Sequence, residues 1–246
     1  MRRLLWATTI ALTVGILFSM GSTGYADGGD FSMDFTAAAP FSYDHATGGG
    51  AYNDRTVGKL DDIVESLEGG DFSCLDTVSY LTQIVVDAGA VGSQTIRLNF
   101  EFTAYSTGQQ GVALIDNTAA LSTSGAINSG LVDTGTVDDG GSTATVVFEA
   151  QPGPTFVKPS TFFRSVDVDD LEAGETVVLR TDVKIDCNGS KPTGNMQARL
   201  ASASTVDAVD GEVIDAISSG DQTVPFKSVG AIKPPACDPK TDPTCK

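Results

Sequence analysis

Histidine and tryptophan each occur once in 246 residues, and basic side chains number 15 against 32 acidic ones. One histidine removes His-clustered metal sites and leaves little material for a Ser-His-Asp arrangement. No G-x-S-x-G elbow occurs, and His45 lies in a Gly-rich stretch, where it reads as an exposed side chain rather than a general base. The shortage of basic charge leaves a net charge of -17, which argues against nonspecific affinity for nucleic acid or an anionic membrane. Leucine is sparse too, whereas Gly, Ser, Thr, Val and Asp are plentiful. That balance suits many short strands joined by tight turns better than long helices.

The N-terminus reads as an address. Arg2 and Arg3 precede an apolar run, Leu4 to Phe18, of the length expected for a signal-peptide core and short for a bilayer span. Ser19 to Ala26 supplies small and polar residues ending Gly24-Tyr25-Ala26, so cleavage after Ala26 by the general export route is the expectation. The competing reading, an uncleaved anchor, meets Asp27-Gly28-Gly29-Asp30 at once. Removal of residues 1–26 leaves no integral membrane segment. It takes away two of the 15 basic residues and the lone Trp6, so a sugar-stacking site has to be built on Tyr or Phe, with Tyr52, Tyr80 and Tyr105 as candidates.

In an oxidising compartment four cysteines are read as two disulfides, with three possible connectivities. Cys237 and Cys245 share a Pro-rich tail and can close a small local loop, which leaves Cys74 and Cys187 for each other. A four-thiol metal site is the alternative. The spacings match no common zinc pattern, and no metal or other cofactor is expected from the cysteines.

The mature chain reads as one all-β domain. Gln94 to Ala104 alternates Ile96, Leu98, Phe100 and Phe102 against Arg97, Asn99, Glu101 and Thr103, a half-buried strand. Thr77 to Val86, Val112 to Ile115, Thr143 to Glu149, Phe162 to Val168, Glu175 to Asp186, Met196 to Ala203 and Thr223 to Val229 are further strand candidates, separated by Gly, Asp and Pro clusters. About eight strands at this spacing predict a single antiparallel, immunoglobulin-like β-sandwich. Pro225 puts the last strand at an edge or a bulge. Lys59 to Glu68 is expected to make one or two helical turns ended by Gly69-Gly70. The organisation expected is 1–26 signal peptide, 27–58 extended arm or first strand with a Gly-rich loop, 59–230 sandwich, and 231–246 Pro-rich disulfide-looped tail.

The turn Val168-Asp169-Asp170-Leu171-Glu172-Ala173-Gly174-Glu175, running into Thr176-Val177-Val178-Leu179, resembles the "dLxAGE" strand start of immunoglobulin-like modules of the DUF11 and CARDB type, repeated in bacterial and archaeal surface proteins. Asp54 to Gly58, Glu65 to Phe72 and Gln222 to Lys227 resemble stretches of an exported bacterial module, a resemblance that brings no activity with it. It implies a surface location and an interaction or structural role, and no catalytic residue. The chain departs from the repeat proteins in having one copy and no visible anchor.

Acidic residues are the material left for chemistry. Asp133, Asp138 and Asp139 form one loop set, Asp167, Asp169 and Asp170 a second, and Asp207, Asp210 and Asp215 a third. Converging loops of this kind supply weak calcium ligands, but none has the D-x-D-x-D-G spacing, and a solvated acidic rim is the simpler account. Asn188-Gly189-Ser190 is a glycosylation sequon. The function expected is a secreted or cell-surface, non-enzymatic structural or adhesion module. Its expected partners are other envelope or matrix proteins, or further copies of itself through an edge strand. The alternatives are an extracellular glycan- or small-ligand-binding module and, behind it, a carboxylate-type hydrolase.

Overall fold

The structure is a computed structural model, and it describes residues 28–40, 63–105, 111–123, 141–150, 160–187, 194–218 and 222–234. The signal segment, His45, Tyr52, Lys59 to Asp62, Asp133, Asp138, Asp139, the Asn188 sequon and the tail with Cys237 and Cys245 lie outside the described residues.

Twelve strands are present among the described residues: β1 Phe31–Ala38, β2 Ile63–Val64, β3 Leu67–Glu68, β4 Thr77–Val86, β5 Gln94–Tyr105, β6 Val112–Thr123, β7 Thr143–Ala150, β8 Ser160–Leu171, β9 Thr176–Ile185, β10 Met196–Val206, β11 Val213–Ile217 and β12 Gln222–Lys227. They form two sheets packed as a sandwich. The first runs β2-β1-β4-β9-β6, and the second runs β3-β12-β10-β5-β8-β7, with β11 paired to β10 beside β12. All ladders are antiparallel except the two-residue β3–β12 pairing.

The alternation read in β5 sets the core. Ile96, Leu98, Phe100 and Phe102 are buried, and their ladder partners Val168, Val166 and Phe162 on β8 and Leu200 and Ala198 on β10 are buried beside them. From the opposite sheet Phe35 on β1 meets Tyr80 at 5.8 Å and Phe100 at 5.7 Å, and Tyr80 meets Phe102 at 5.6 Å. Aromatic rings thus interlock across the sandwich, each of a type that buries a large apolar area in a core. On the outer face of the first sheet a smaller cluster buries Ala38, Ile63, Leu81 and Val178.

The arm expected at residues 27–58 supplies β1, which lies between β2 and β4 in its own sheet. Where β2 leaves the edge of β1 open, the Gln222 side chain closes it: its Oε1 accepts from the Phe35 N–H at 2.6 Å and its Nε2 donates to the Met33 carbonyl at 3.0 Å. One amide stands in for a strand and ties β12 to β1 across the corner of the sandwich.

The helical turns expected at Lys59 to Glu68 are not formed over the described part. Ile63–Val64 pairs with β1 in one sheet and Leu67–Glu68 with β12 in the other. The segment crosses from sheet to sheet because two strand edges recruit its backbone groups, while Ile63 and Leu67 are buried in different clusters. Tertiary pairing overrides a weak local preference here. Pro225 stands opposite Gln197 of β10, on a strand whose other side meets only the two residues of β3, in keeping with the edge position expected from its missing N–H.

Candidate functional site

Several aspartates of the described loops shape turns. Asp87 Oδ1 accepts from the Gly89 N–H at 2.7 Å, Asp207 Oδ1 from Val209 at 2.7 Å, and Asp210 Oδ1 from Glu212 at 3.0 Å. Asp215 accepts from the N–H of Gly28 at 3.2 Å. The first three are the local bonds by which aspartate shapes a turn, while the last joins β11 to the 3-10 turn Gly28–Asp30 across 187 residues. Asp167 is engaged with Arg97 in a bidentate pair, Nε to Oδ1 and Nη2 to Oδ2 both at 2.7 Å, while Arg97 Nη1 donates to the Gly211 carbonyl at 3.2 Å. The hydrogen bond to Asp167 raises the Arg97 pKa further. The three contacts pin the β10–β11 turn against the outer face of the second sheet. Among the described residues no three His, Cys, Asp or Glu side chains converge as a metal site.

The "dLxAGE" turn has a physical explanation of its own. Asp170 and Gly174 take positive φ, 61° and 81°, which aspartate tolerates and glycine adopts freely. Leu171 is buried in the core. Glu175, also buried, accepts from the backbone of Glu172 at 2.8 Å and from the Ser142 hydroxyl at 2.5 Å, so it closes its own turn and holds the start of β7.

Of the aromatic candidates for stacking a ligand, Tyr80 is ruled out: its ring is buried among Phe35 and Phe102, and burial pushes its hydroxyl pKa well above the ordinary value. Tyr105 ends β5, and Tyr52 lies outside the described residues. Among the described residues the exposed rings are two phenylalanines, which were not among the tyrosine candidates. Phe148 on β7 is 54% exposed and Phe163 on β8 is 44% exposed. Both point outward from the second sheet, because Phe148 stands opposite Ser165 and Phe163 opposite Glu101, the outward positions of their ladders.

With Asn99, Glu101, Ser165 and Ser202 these two rings line a shallow groove of about 270 Å³. Its polar floor is internally bonded. Asn99 Nδ2 donates to Ser202 Oγ at 3.0 Å, Ser165 Oγ donates to Asn99 Oδ1 at 2.5 Å, and Arg199 Nη1 meets Glu101 Oε2 at 3.2 Å. The edge of β7 is open as well: Val146, opposite Val166 and so on the inner face of the sheet, and Val147 are exposed next to the outward Phe148. A register shift between Val146 and Phe148 marks a bulge.

On the inward side of the same hairpin lies an unusual ion pair. Arg164 falls in phase with Phe162 and Val166, facing the core, and its side chain is 3% exposed. Its Nε reaches Glu149 Oε2 at 3.1 Å, its Nη2 bonds the same oxygen, and its Nη1 has no hydrogen-bond partner. Glu149 on β7 therefore neutralises a guanidinium that sits opposite Phe100 on the inward face of the sheet.

No protein-family model matches the chain, and no curated protein matches it. Among solved structures it is similar to a variant of BcpA, the major pilin subunit of Bacillus cereus, at 10% identity and a TM-score of 0.33, over 80% of this chain and 38% of that one. It is similar to AvmM, which catalyses macrocyclization in alchivemycin A biosynthesis, at 9% identity and a TM-score of 0.29, over 80% and 87%. The full-length major pilin SpaD from Corynebacterium diphtheriae follows at 8% identity and 0.24, over 80% and 33%. The chain spans about a third of either pilin's length, and at these scores none of the three carries an argument about function. Among the described residues no helix is long and apolar enough to cross a membrane.

Proposed function

We propose that this chain is an exported, non-enzymatic β-sandwich that serves at the cell surface or in the extracellular matrix in a structural or adhesive role. The observation that carries the reading is the open apolar strip Val146-Val147-Phe148 with Phe163, on a chain whose net charge is -17. Four exposed apolar side chains along one sheet edge of an acidic domain mark the place where it meets another molecule. Two further features support export: the signal-like residues 1–26 and the Cys74–Cys187 disulfide, a bond that persists in oxidising compartments. A second disulfide, Cys237–Cys245, belongs to the same reading.

The test is fractionation of the source cells expressing the chain or its Phe148→Lys variant. The wild-type chain is expected with the envelope or matrix, accessible to added protease, and the stably folded variant is expected to be released. A wild-type chain retained in the cytoplasm overturns export. A Phe148→Lys chain that stays with the matrix as fully as the wild type overturns the role of this strip.

A further inference from the structure

We propose that two copies of this chain join through β7, pairing antiparallel about a two-fold axis near Val146 and Val147, so that the second sheet runs on from one copy into the next. The inference rests on the adhesive reading above and names its partner as a second copy.

The described strand edges of the second sheet are not equally free. At the far end β3 covers part of β12, and the 3-10 turn Gly28–Asp30 sits on β11: the Gly28 N–H bonds Asp215, and a Cβ on Gly28 would stand 2.3 Å from the Ala216 carbonyl. β7 pairs with β8 alone among the described strands, over eight residues. A strand edge of that length offers a row of N–H and C=O groups to an incoming strand, and proteins usually guard such edges with lysine, proline or a bulge. Thr143 to Ala150 contains neither lysine nor proline, and its guard is the bulge between Val146 and Phe148. Four of the nine exposed large apolar side chains among the described residues, Val146, Val147, Phe148 and Phe163, gather on this hairpin.

Charge selects the occupant. Two copies of a chain at -17 repel over most of their surfaces, but β7 holds a single charge, Glu149, already paired with Arg164. Two-fold pairing about the Val146–Val147 position sets Ala144 against Glu149, Thr145 against Phe148 and Val146 against Val147, so no like charges stand opposite each other and apolar side chains meet. The strip is the neutral opening through which acidic copies can approach. Pairing of two eight-residue strands buries less than the roughly 800 Å² per partner of a standard interface, so the association is weak, in the micromolar range or above. Salt strengthens it by screening the repulsion between the rest of the two surfaces.

Sedimentation equilibrium of the full mature chain, from micromolar to millimolar concentration at low and high salt, tests the proposal. The expected result is a monomer–dimer equilibrium that shifts toward dimer as salt rises. Phe148→Lys and Val147→Lys should each weaken it at least tenfold with an unchanged melting temperature, while Val209→Lys and Val213→Lys leave it intact. A monomer at every concentration, a dimer dispersed by salt, or a dimer that survives Phe148→Lys and Val147→Lys overturns it, as does one lost in Val213→Lys. If the chain stays monomeric and instead binds an uncharged polysaccharide in a Phe148-dependent manner, the groove is a glycan site and the two-fold pairing is wrong. If it stays monomeric while Phe148→Lys still releases it from the matrix, adhesion to a different molecule stands and self-pairing falls.

Discussion

Cys74 and Cys187 face each other three residues beyond the Thr77–Lys184 pair that begins the β4–β9 ladder, 113 residues apart in sequence and 5.5 Å apart at Cα. The disulfide therefore continues a ladder that backbone bonds carry as far as Leu75 and Ile185, whose N–H and carbonyl meet at 2.9 Å. The Cys74 N–H also donates to the Lys233 carbonyl at 2.8 Å, so one residue gathers the start of β4, the end of β9 and the last described segment of the chain.

Cutting this bond removes a cross-link over a long loop, worth about 5 kcal/mol in the chain-entropy account. Cys187→Ser is expected to lower the melting temperature steeply, and Cys245→Ser to lower it little, since a tail loop of a few residues constrains the unfolded chain far less. Non-reducing peptide mapping checks the pairing: Cys74 should travel with Cys187 and Cys237 with Cys245.

Tyr80 makes the fold sensitive to alkali. Its hydroxyl ionises near the ordinary value of 10.0 in the unfolded chain but well above it in the folded core, so the unfolded state loses the proton first. Stability is complete below about pH 10 and falls as pH climbs from there toward the folded value, by about 1.4 kcal/mol for each pH unit. Urea titrations across this range should show the fall in the wild type and a flatter profile in Tyr80→Phe.

The Arg164–Glu149 pair predicts an asymmetric mutant cycle. Glu149→Gln leaves a guanidinium facing the core without its counter-charge and is expected to cost about 2 kcal/mol, the partial exposure of Glu149 tempering the loss. Arg164→Met with Glu149→Gln removes the buried charge as well and should recover most of that loss. Chemical denaturation of the single and double variants measures the coupling.

Gly69 and its neighbour form a paired test of packing. A Cβ at Gly69 would stand 2.3 Å from the Ser228 carbonyl, where the 3-10 turn Gly69–Asp71 packs against the turn Val229–Ala231, whereas a Cβ at Gly70 meets nothing within 4 Å. Gly69→Ala is expected to cost about 1–3 kcal/mol. Gly70→Ala should change the melting temperature hardly at all.

The all-β class and the eight main strands were legible in the sequence because each rests on a local signal, and the Cys74–Cys187 pair because a tail loop claims the other two cysteines. Alternation at Ile96, Leu98, Phe100 and Phe102 is a property of neighbouring residues, and so are the Gly and Asp clusters that end the strands. The tertiary structure decided the rest. Ile63 to Glu68 became two strands in two sheets because edges distant in sequence recruited them, and Tyr80 moved from candidate ligand platform to core because Phe35 and Phe102 close over it. Alternation along β8 hands Arg164 to the interior, but its tolerance there depends on Glu149 arriving on β7 from across the hairpin. Whether Phe148 is buried or open turned on the packing of the sheets, since it stands opposite Ser165 on the outer face of the second sheet, where it is 54% exposed. Periodicity assigns a side chain to a face of its strand. Only the assembled sheets determine what, if anything, covers that face.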